Sequence, residues 1–336
     1  MVRKMGVDIA ASFLGKRVLI TGGLGFIGSN LARRLVWMGA QVCLVDFLDS
    51  RYGGNFANIF EFKDQARVII ADVRDQMLMT RLVREQDFLF NLAGQISHLG
   101  SIEDPRTDLE INCTSVLAIL ENCRLNNPSI KIVYSGTRQI YGRPRYLPVD
   151  EKHPMEPIDF NGISKLAGGW YHILYNQIHG MRTTTLRLTN VYGPRMWVKD
   201  GRLSFIGLWF RQIVEGKELL IFGDGKQIRD FNDVEDVVDA LLLSAANPCS
   251  DGQIYNLGGD DPISLLDLAR LMVEVNGSGS YRLVEFPAER KRIDIGDYYG
   301  DYTKIRTELG WQPKIKLQDG IARTLAYYRQ YKQHYW

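Results

Sequence analysis

Eight residues near the N-terminus, Thr21-Gly22-Gly23-Leu24-Gly25-Phe26-Ile27-Gly28, constrain this chain more than any other segment. They follow a short β-branched run, Arg17–Thr21, and open a stretch in which Ile27, Leu31, Leu35 and Met38 recur at helical spacing. Glycine is needed where a chain turns tightly from strand to helix, where a pyrophosphate meets bare backbone, and where the helix closes on the strand. The helix N-terminus then offers amide donors and a partial positive charge to phosphates. Gly22, Gly25, Phe26, Ile27 and Gly28 are therefore predicted to hold a dinucleotide. A second apolar run, Gln41–Asp46, ends in a carboxylate 18 residues after Gly28, placed to accept hydrogen bonds from ribose hydroxyls. Such a carboxylate repels a 2′-phosphate, so the expected cofactor is NAD rather than NADP.

Similar runs recur at Arg67–Asp72, Phe88–Ala93, Lys131–Ser135 and Thr183–Thr189, separated by amphipathic segments. Several are apolar almost throughout, as strands buried on both faces are. The rhythm predicts an α/β fold with a doubly wound parallel sheet, the Rossmann arrangement. Past Pro194 it loosens. Segments rich in Gly, Trp and Arg (Arg195–Arg202, Gly223–Arg229, Glu289–Gly300) interrupt helices expected near Ser204–Gly216, Asp233–Ala246 and Ser264–Val275. The expected division is a cofactor domain over 16–194, completed by part of 230–260, and a smaller interleaved substrate lobe over 195–336.

Composition excludes several classes. A net charge of +2 from 41 basic and 39 acidic residues gives no electrostatic case for nucleic acid or a membrane surface. No apolar run reaches the ~20 residues of a membrane span. Cys43, Cys113, Cys123 and Cys249 lack metal-ligand spacing, so no metal is expected and reduced thiols in a cytoplasmic enzyme are. The stretch from Met1 to Lys16 reads as a flexible leader rather than a signal peptide.

Four further segments carry chemistry. Ser135-Gly136-Thr137-Arg138-Gln139-Ile140-Tyr141-Gly142 follows the fifth strand, and Asn161-Gly-Ile-Ser-Lys165 lies on a predicted helix. Leu186-Arg-Leu-Thr-Asn190-Val-Tyr-Gly-Pro-Arg195 and Gln227-Ile-Arg229-Asp-Phe come later. Together with the fingerprint they resemble the extended short-chain dehydrogenase/reductases that act on nucleotide sugars, from Arg17 to about Trp311. The resemblance implies that Thr137 hydrogen-bonds the sugar oxygen being oxidised and that Lys165 holds the nicotinamide ribose. It also implies that Asn190 contacts substrate, that Arg229 clamps the diphosphate, and that Asp72-Val73 lies by the adenine, although Asp72 is equally suited to capping a helix. Leu92-Ala93-Gly94 ends the fourth strand with room for a cofactor to pass. Gln95, Ser97, Arg138 and Arg292 are further candidate substrate contacts. Homodimerisation is implied through helices near Pro105–Arg124 and Asn161–Gly180, where Leu109, Cys113, Val116 and Leu120 and Ile163, Leu166, Trp170 and Ile173 repeat at helical spacing.

One position departs from the family. Four residues before the lysine the relatives carry a tyrosine whose phenolate moves a proton; here stands Asn161. A carboxamide forms hydrogen bonds but takes no proton near neutrality. Phe160, in the neighbouring register, has no hydroxyl. Three explanations compete. Another group does the proton work: His98, whose imidazole titrates near neutrality, a desolvated Lys165, or the phenol of Tyr141 or Tyr192. Alternatively, the substrate supplies the group, or redox catalysis has been lost. Dehydratases of the family carry an Asp-Glu pair directly after the catalytic threonine, where this chain has Arg138-Gln139, so dehydration is disfavoured.

The expected activity is NAD-dependent epimerisation of a nucleotide-diphosphate sugar through a transient 4-keto intermediate. A binding protein without turnover and an NAD(P)H-dependent reductase of a non-sugar substrate are the alternatives. The Asp46 carboxylate generates a direct test: calorimetry should give tighter binding of NAD than of NADP, and Asp46→Ala should narrow the gap. Equal affinities in the parent protein would overturn the assignment.

Overall fold

A computed structural model describes residues 8–49 and 51–336. Among them, seven strands form one parallel sheet: β1 (Arg17–Thr21), β2 (Gln41–Asp46), β3 (Ala66–Ile70), β4 (Phe88–Asn91), β5 (Lys131–Thr137), β6 (Arg182–Leu188) and β7 (Gln253–Asn256). Their order across the sheet is β7-β6-β5-β4-β1-β2-β3. This is the doubly wound order, reversing between β1 and β4. Of the six strands read from sequence, Arg17–Thr21 and Gln41–Asp46 appear with the expected ends and the other four with ends moved by one or two residues; β3 stops at Ile70, short of Asp72, and β5 runs on to Thr137.

Alternation along the strands explains why both faces are covered. In β1, Val18 and Ile20 join one buried apolar cluster while Leu19 joins the other; in β2, Val42 and Leu44 separate in the same way from Cys43 and Val45. Helices Phe26–Trp37 and Val234–Ala246 close the first face. Helices Gln76–Val83, Ser115–Asn126 and Phe160–His179 close the second. A third cluster, built on Trp209, Phe210, Leu268, Ile321, Leu325 and Tyr328, lies away from the sheet among helices Phe205–Val214, Leu265–Asn276 and Leu317–Tyr331. Short parallel pairs, Asn190–Tyr192 with Phe231–Asp233 and Leu219–Phe222 with Tyr281–Val284, connect that cluster to the sheet edge.

Residues 1–7 of the expected N-terminal leader lie outside the described residues. The rest of it is not a leader. Ile9–Phe13 form a short helix capped by the Asp8 carboxylate, and the buried Phe13 ring sits 4.8 Å from that of Phe88. Burying a phenylalanine contributes roughly 1.5–3 kcal/mol toward holding this helix against the sheet.

The turn leaving β5 positions the site. Thr137 Oγ1 accepts the Gln139 N–H at 3.2 Å and starts one turn of 3₁₀ helix, Arg138–Tyr141. The Tyr141 phenol then accepts from Arg187 on β6 at 2.6 Å and donates to Asn256 on β7 at 2.7 Å. Gly142 ends the turn at φ +63°, and a Cβ there would run into the Glu156 carbonyl oxygen. Gly142→Ala combines a left-handed backbone with that clash and should cost at least about 2 kcal/mol. For a chain of this size the thermal midpoint should fall by about 3 °C; an unchanged midpoint in a melting experiment would show that the turn relaxes freely.

Candidate active site at the C-terminal edge of the sheet

A cleft of about 690 Å³ runs along the C-terminal ends of the strands, between the sheet and the third cluster. Gly22, Gly25, Phe26, Ile27 and Gly28 line one end. Gly22 has φ +70°, and a Cβ on it would lie 3.0 Å from the Ala93 nitrogen; one on Gly28 would run into the Gly22 carbonyl. Helix Phe26–Trp37 begins at Gly25 with no side chain capping it, which leaves its first-turn amides for an anion. Asp46 lines the same end, accepting Leu24 N–H at 3.0 Å and Leu48 N–H at 2.8 Å. Burial raises its pKa, and those backbone donors oppose the shift. Val73 and Asp72 also line it, Asp72 held by Arg74. Bare glycine backbone, free helix amides and a carboxylate at the end of β2 together fit a dinucleotide.

Leu92, Ala93 and Gly94 form the floor where β4 ends. The Thr21 hydroxyl ties them down, accepting Leu92 N–H at 3.0 Å and Ala93 N–H at 3.1 Å. Gly94 has no room for a side chain, because a Cβ would lie 2.7 Å from Lys165 Nζ and 2.9 Å from Asn112 Oδ1. Lys165 is buried, 3.4 Å from the Ser135 carbonyl and 5.2 Å from the Tyr134 ring. Burial pulls its pKa down to about 8, and the Asp108 charge opposes that fall.

Asn161, one helical turn before Lys165, belongs to a buried polar bracket. Its Nδ2 donates to the Gln95 carbonyl at 2.8 Å and to Asp108 Oδ1 at 3.0 Å. Asn112 Nδ2 donates to the same two acceptors, at 2.8 and 2.9 Å. Asn161 lines the cleft, yet its N–H bonds are committed to the chain; its carbonyl oxygen alone can meet a ligand. Gln95 and Ser97, expected at the substrate, do not line the cleft. Gln95 Nε2 holds the Ser97 carbonyl at 2.9 Å, and the Ser97 hydroxyl caps helix His98–Glu103 at Gly100. Their positions just after a strand end suggested substrate contact, but the loop turns both inward to bond its own backbone.

That loop presents His98. Its Nδ1 lies 2.7 Å from Asp159 Oδ2, a close contact bent from the straight hydrogen-bond line. The imidazole is 39% exposed toward the cleft while the Asp159 carboxylate is fully buried. Asp159 also caps helix Phe160–His179 through Gly162 N–H at 2.6 Å and accepts Gln139 Nε2 at 3.1 Å. Burial would raise its pKa, but the bonds from His98, Gly162 and Gln139 outweigh it and keep the carboxyl below the usual range. Thr137 lines the cleft nearby, and its oxygen is used as an acceptor by Gln139 N–H, which leaves the hydroxyl hydrogen free to donate. Tyr141 and Tyr192, the alternative phenols, line no part of the cleft; both are buried within the chain.

At the far side lie Arg138, Asn190 and Arg229. Arg138 Nη2 donates to Asn190 Oδ1 at 3.1 Å. Arg229 arrives already engaged, with Nη1 on the Ile228 and Gly296 carbonyls and Nη2 on Asp294. Arg292 is exposed and off the cleft; Arg290 lines it instead. Two residues along a helix turn a side chain by about 200°, so only one of the pair can face inward. The sequence reading missed Asp159 as well. An aspartate ahead of a helix signals a cap, but its pairing with a histidine 61 residues away needs the fold.

Comparisons with known proteins agree with this geometry. The GDP-mannose 4,6 dehydratase family profile matches residues 19–324. A putative UDP-glucose 4-epimerase of Methanocaldococcus jannaschii is 33% identical over 311 residues, 92% of this chain and 97% of that one. The UDP-glucose 4-epimerase of Thermotoga maritima, solved with UDP-glucose, superposes with TM-score 0.84 at 30% identity, covering 94% of this chain and 99% of its own. That of Thermus thermophilus, solved with NAD, gives TM-score 0.83 at 28% identity over 94% and 99%. By the extent of the family match and by the identity to these relatives, the chain belongs to the GDP-mannose 4,6 dehydratase family of extended short-chain dehydrogenases/reductases.

Proposed function

We propose that this protein is an NAD-dependent enzyme that epimerises a nucleotide-diphosphate sugar, with His98 moving the proton that a tyrosine moves elsewhere in the family. The observation that carries the reading is the His98–Asp159 pair, which faces the cleft that Thr137 and Lys165 also line. The names and bound ligands of the relatives support NAD and a nucleotide sugar. When bound, NAD supplies the hydride acceptor for the sugar carbon and returns the hydride later. His98 Nε2 accepts the proton of the C4 hydroxyl as the ketone forms, and Asp159 stabilises the imidazolium through Nδ1. Thr137 donates to the same oxygen. Lys165 keeps hydrogens free for the nicotinamide ribose. The imidazolium gives its proton back once the ketone has been re-reduced on its other face, so protons and hydride both balance.

Asn161 is then a positioning residue. Its amide, with that of Asn112, fixes the Gln95 carbonyl and hence the loop that presents His98. Gln139, at the place of a dehydratase acid, braces Asp159 and offers no carboxyl, which favours epimerisation over elimination. Arg290 is the cation for the diphosphate, since Arg229 is engaged by Asp294. In this reading residues 16–194 with β7 form the cofactor domain, the remainder forms the substrate lobe, and the four unpaired cysteines suit the cytoplasm.

His98→Ala should lower kcat/KM by about 10²–10⁴-fold. Asp159→Asn should do the same in weaker form. Asn161→Tyr should disturb the bracket and lower turnover. A parent protein that converts no member of a sugar-nucleotide panel would favour a binding protein. Full turnover in His98→Ala would move the proton to Lys165.

We also propose a homodimer. Of the residues expected at its interface, Val116, Leu120 and Ile173 are buried within the chain. Ile163, Trp170, Leu174 and Ile178 stay exposed along helix Phe160–His179, beside an exposed Leu109. Light scattering should give twice 38.3 kDa, and Trp170→Glu with Ile178→Glu should give the monomer; a monomeric parent at micromolar concentration would refute the proposal.

A further inference from the structure

The charges of the cleft do not balance at two of its arginines. Six arginines line it, and four are paired with a carboxylate: Arg51 with Asp49, Arg74 with Asp72, Arg202 with Asp200 and Arg229 with Asp294. Arg290 lies toward the apolar end with Phe222 and Phe286. Arg138 is different. Among the described residues it has no ion-pair partner, only the neutral Asn190 amide on Nη2 and the Tyr298 ring 5.0 Å from its guanidinium carbon. Its Nη1 is buried with no hydrogen-bond partner at all. The nearest acids are spent elsewhere: Asp230 on Thr189 and the Gly259 and Gly300 amides, Asp294 on Arg229. A buried guanidinium with unmet donors is costly unless a ligand completes it, and its planar fork suits a carboxylate.

We propose that the sugar of the substrate carries a carboxylate and that Arg138 binds it. The inference rests on the nucleotide-sugar reading of this cleft and adds the class of sugar. Arg138 follows Thr137 in the chain, and its Nη2 bonds Asn190, the residue that the family resemblance puts at the substrate. The diphosphate is left to Arg290. A neutral hexose offers hydroxyl oxygens to Nη1 but no counter-charge for the guanidinium. An acidic sugar would satisfy it and neutralise the charge.

The test uses matched pairs that differ in one acidic group: UDP-glucuronate and UDP-glucose, UDP-N-acetylmuramate and UDP-N-acetylglucosamine, GDP-mannuronate and GDP-mannose. In at least one pair the acidic member should be preferred by about 10²-fold in kcat/KM, and Arg138→Met should abolish that preference. Arg138→Lys, which keeps the charge and loses the fork, should retain only part of it. Because the ratio is taken within one variant, partial unfolding lowers both members alike and leaves the ratio intact. Should no pair turn over, the same ratio is read from binding by calorimetry. Tighter binding of the acidic member, lost in Arg138→Met, would then sustain the carboxylate site while the proposed catalysis fails. Equal or weaker binding of the acidic member in every pair, an unchanged ratio in Arg138→Met, or no binding by any compound would overturn the inference.

Discussion

Seven strands running in one direction decide where the chemistry can be. Each strand of a parallel sheet must be followed by a crossover, so every C-terminal end opens a loop on the same edge. The Gly22 turn, the Asp46 carboxylate, the Gly94 floor, the loop to His98, the Thr137 turn and Asn190 all leave that edge. Reversal of the order between β1 and β4 parts the flanking helices there and leaves a crevice. Residues more than a hundred positions apart in sequence meet in it.

Within the crevice the determining contact is the bracket around Asp108. Two carboxamides, Asn112 and Asn161, hold one carboxylate oxygen and one backbone carbonyl between them. Each such bond contributes about 0.5–1.5 kcal/mol, and because both amides serve both acceptors, loss of one leaves each acceptor with a single donor. Asn112 lies in a single π turn, Glu110–Thr114, within the helical run from Pro105 to Asn126; such turns often mark functional sites. Asp108 also moderates Lys165, whose ammonium would otherwise be more strongly penalised by burial. One carboxylate thus anchors both amides that hold the Gln95 carbonyl and opposes the fall in the lysine's pKa.

A tyrosine at position 161 would make a different site. A phenol is longer and offers one hydrogen-bonding group where the carboxamide offers two N–H bonds and an oxygen. The geometry around Asn161 uses both N–H bonds, so the residue is integrated with its surroundings rather than left as a gap. Gln139 shows the same logic, since its amide supports Asp159 and through it the imidazole.

Local rules in the sequence were sufficient for the frame. Apolar runs, helical periodicity and a glycine turn are each decided by neighbours within a few residues, and they located six strands, the fingerprint and Asp46. Segments whose partners are distant were less legible. Gln95 and Ser97 have the residue types of substrate contacts, and only the folded loop shows them bonding their own backbone. Arg292 and Arg290 differ by a helix rotation that a motif cannot specify within a short, loosely patterned segment. Ile9–Phe13 looked dispensable because its partner, Phe88, lies 75 positions beyond Phe13. The sequence by itself determined that a dinucleotide cradle exists and that position 161 holds no titrating group. Only the tertiary structure decided that Asp159 stands behind His98 and that Arg138 is left without a counter-charge, because ion pairing depends on distances that the chain sets only when strands far apart in sequence are brought to one edge.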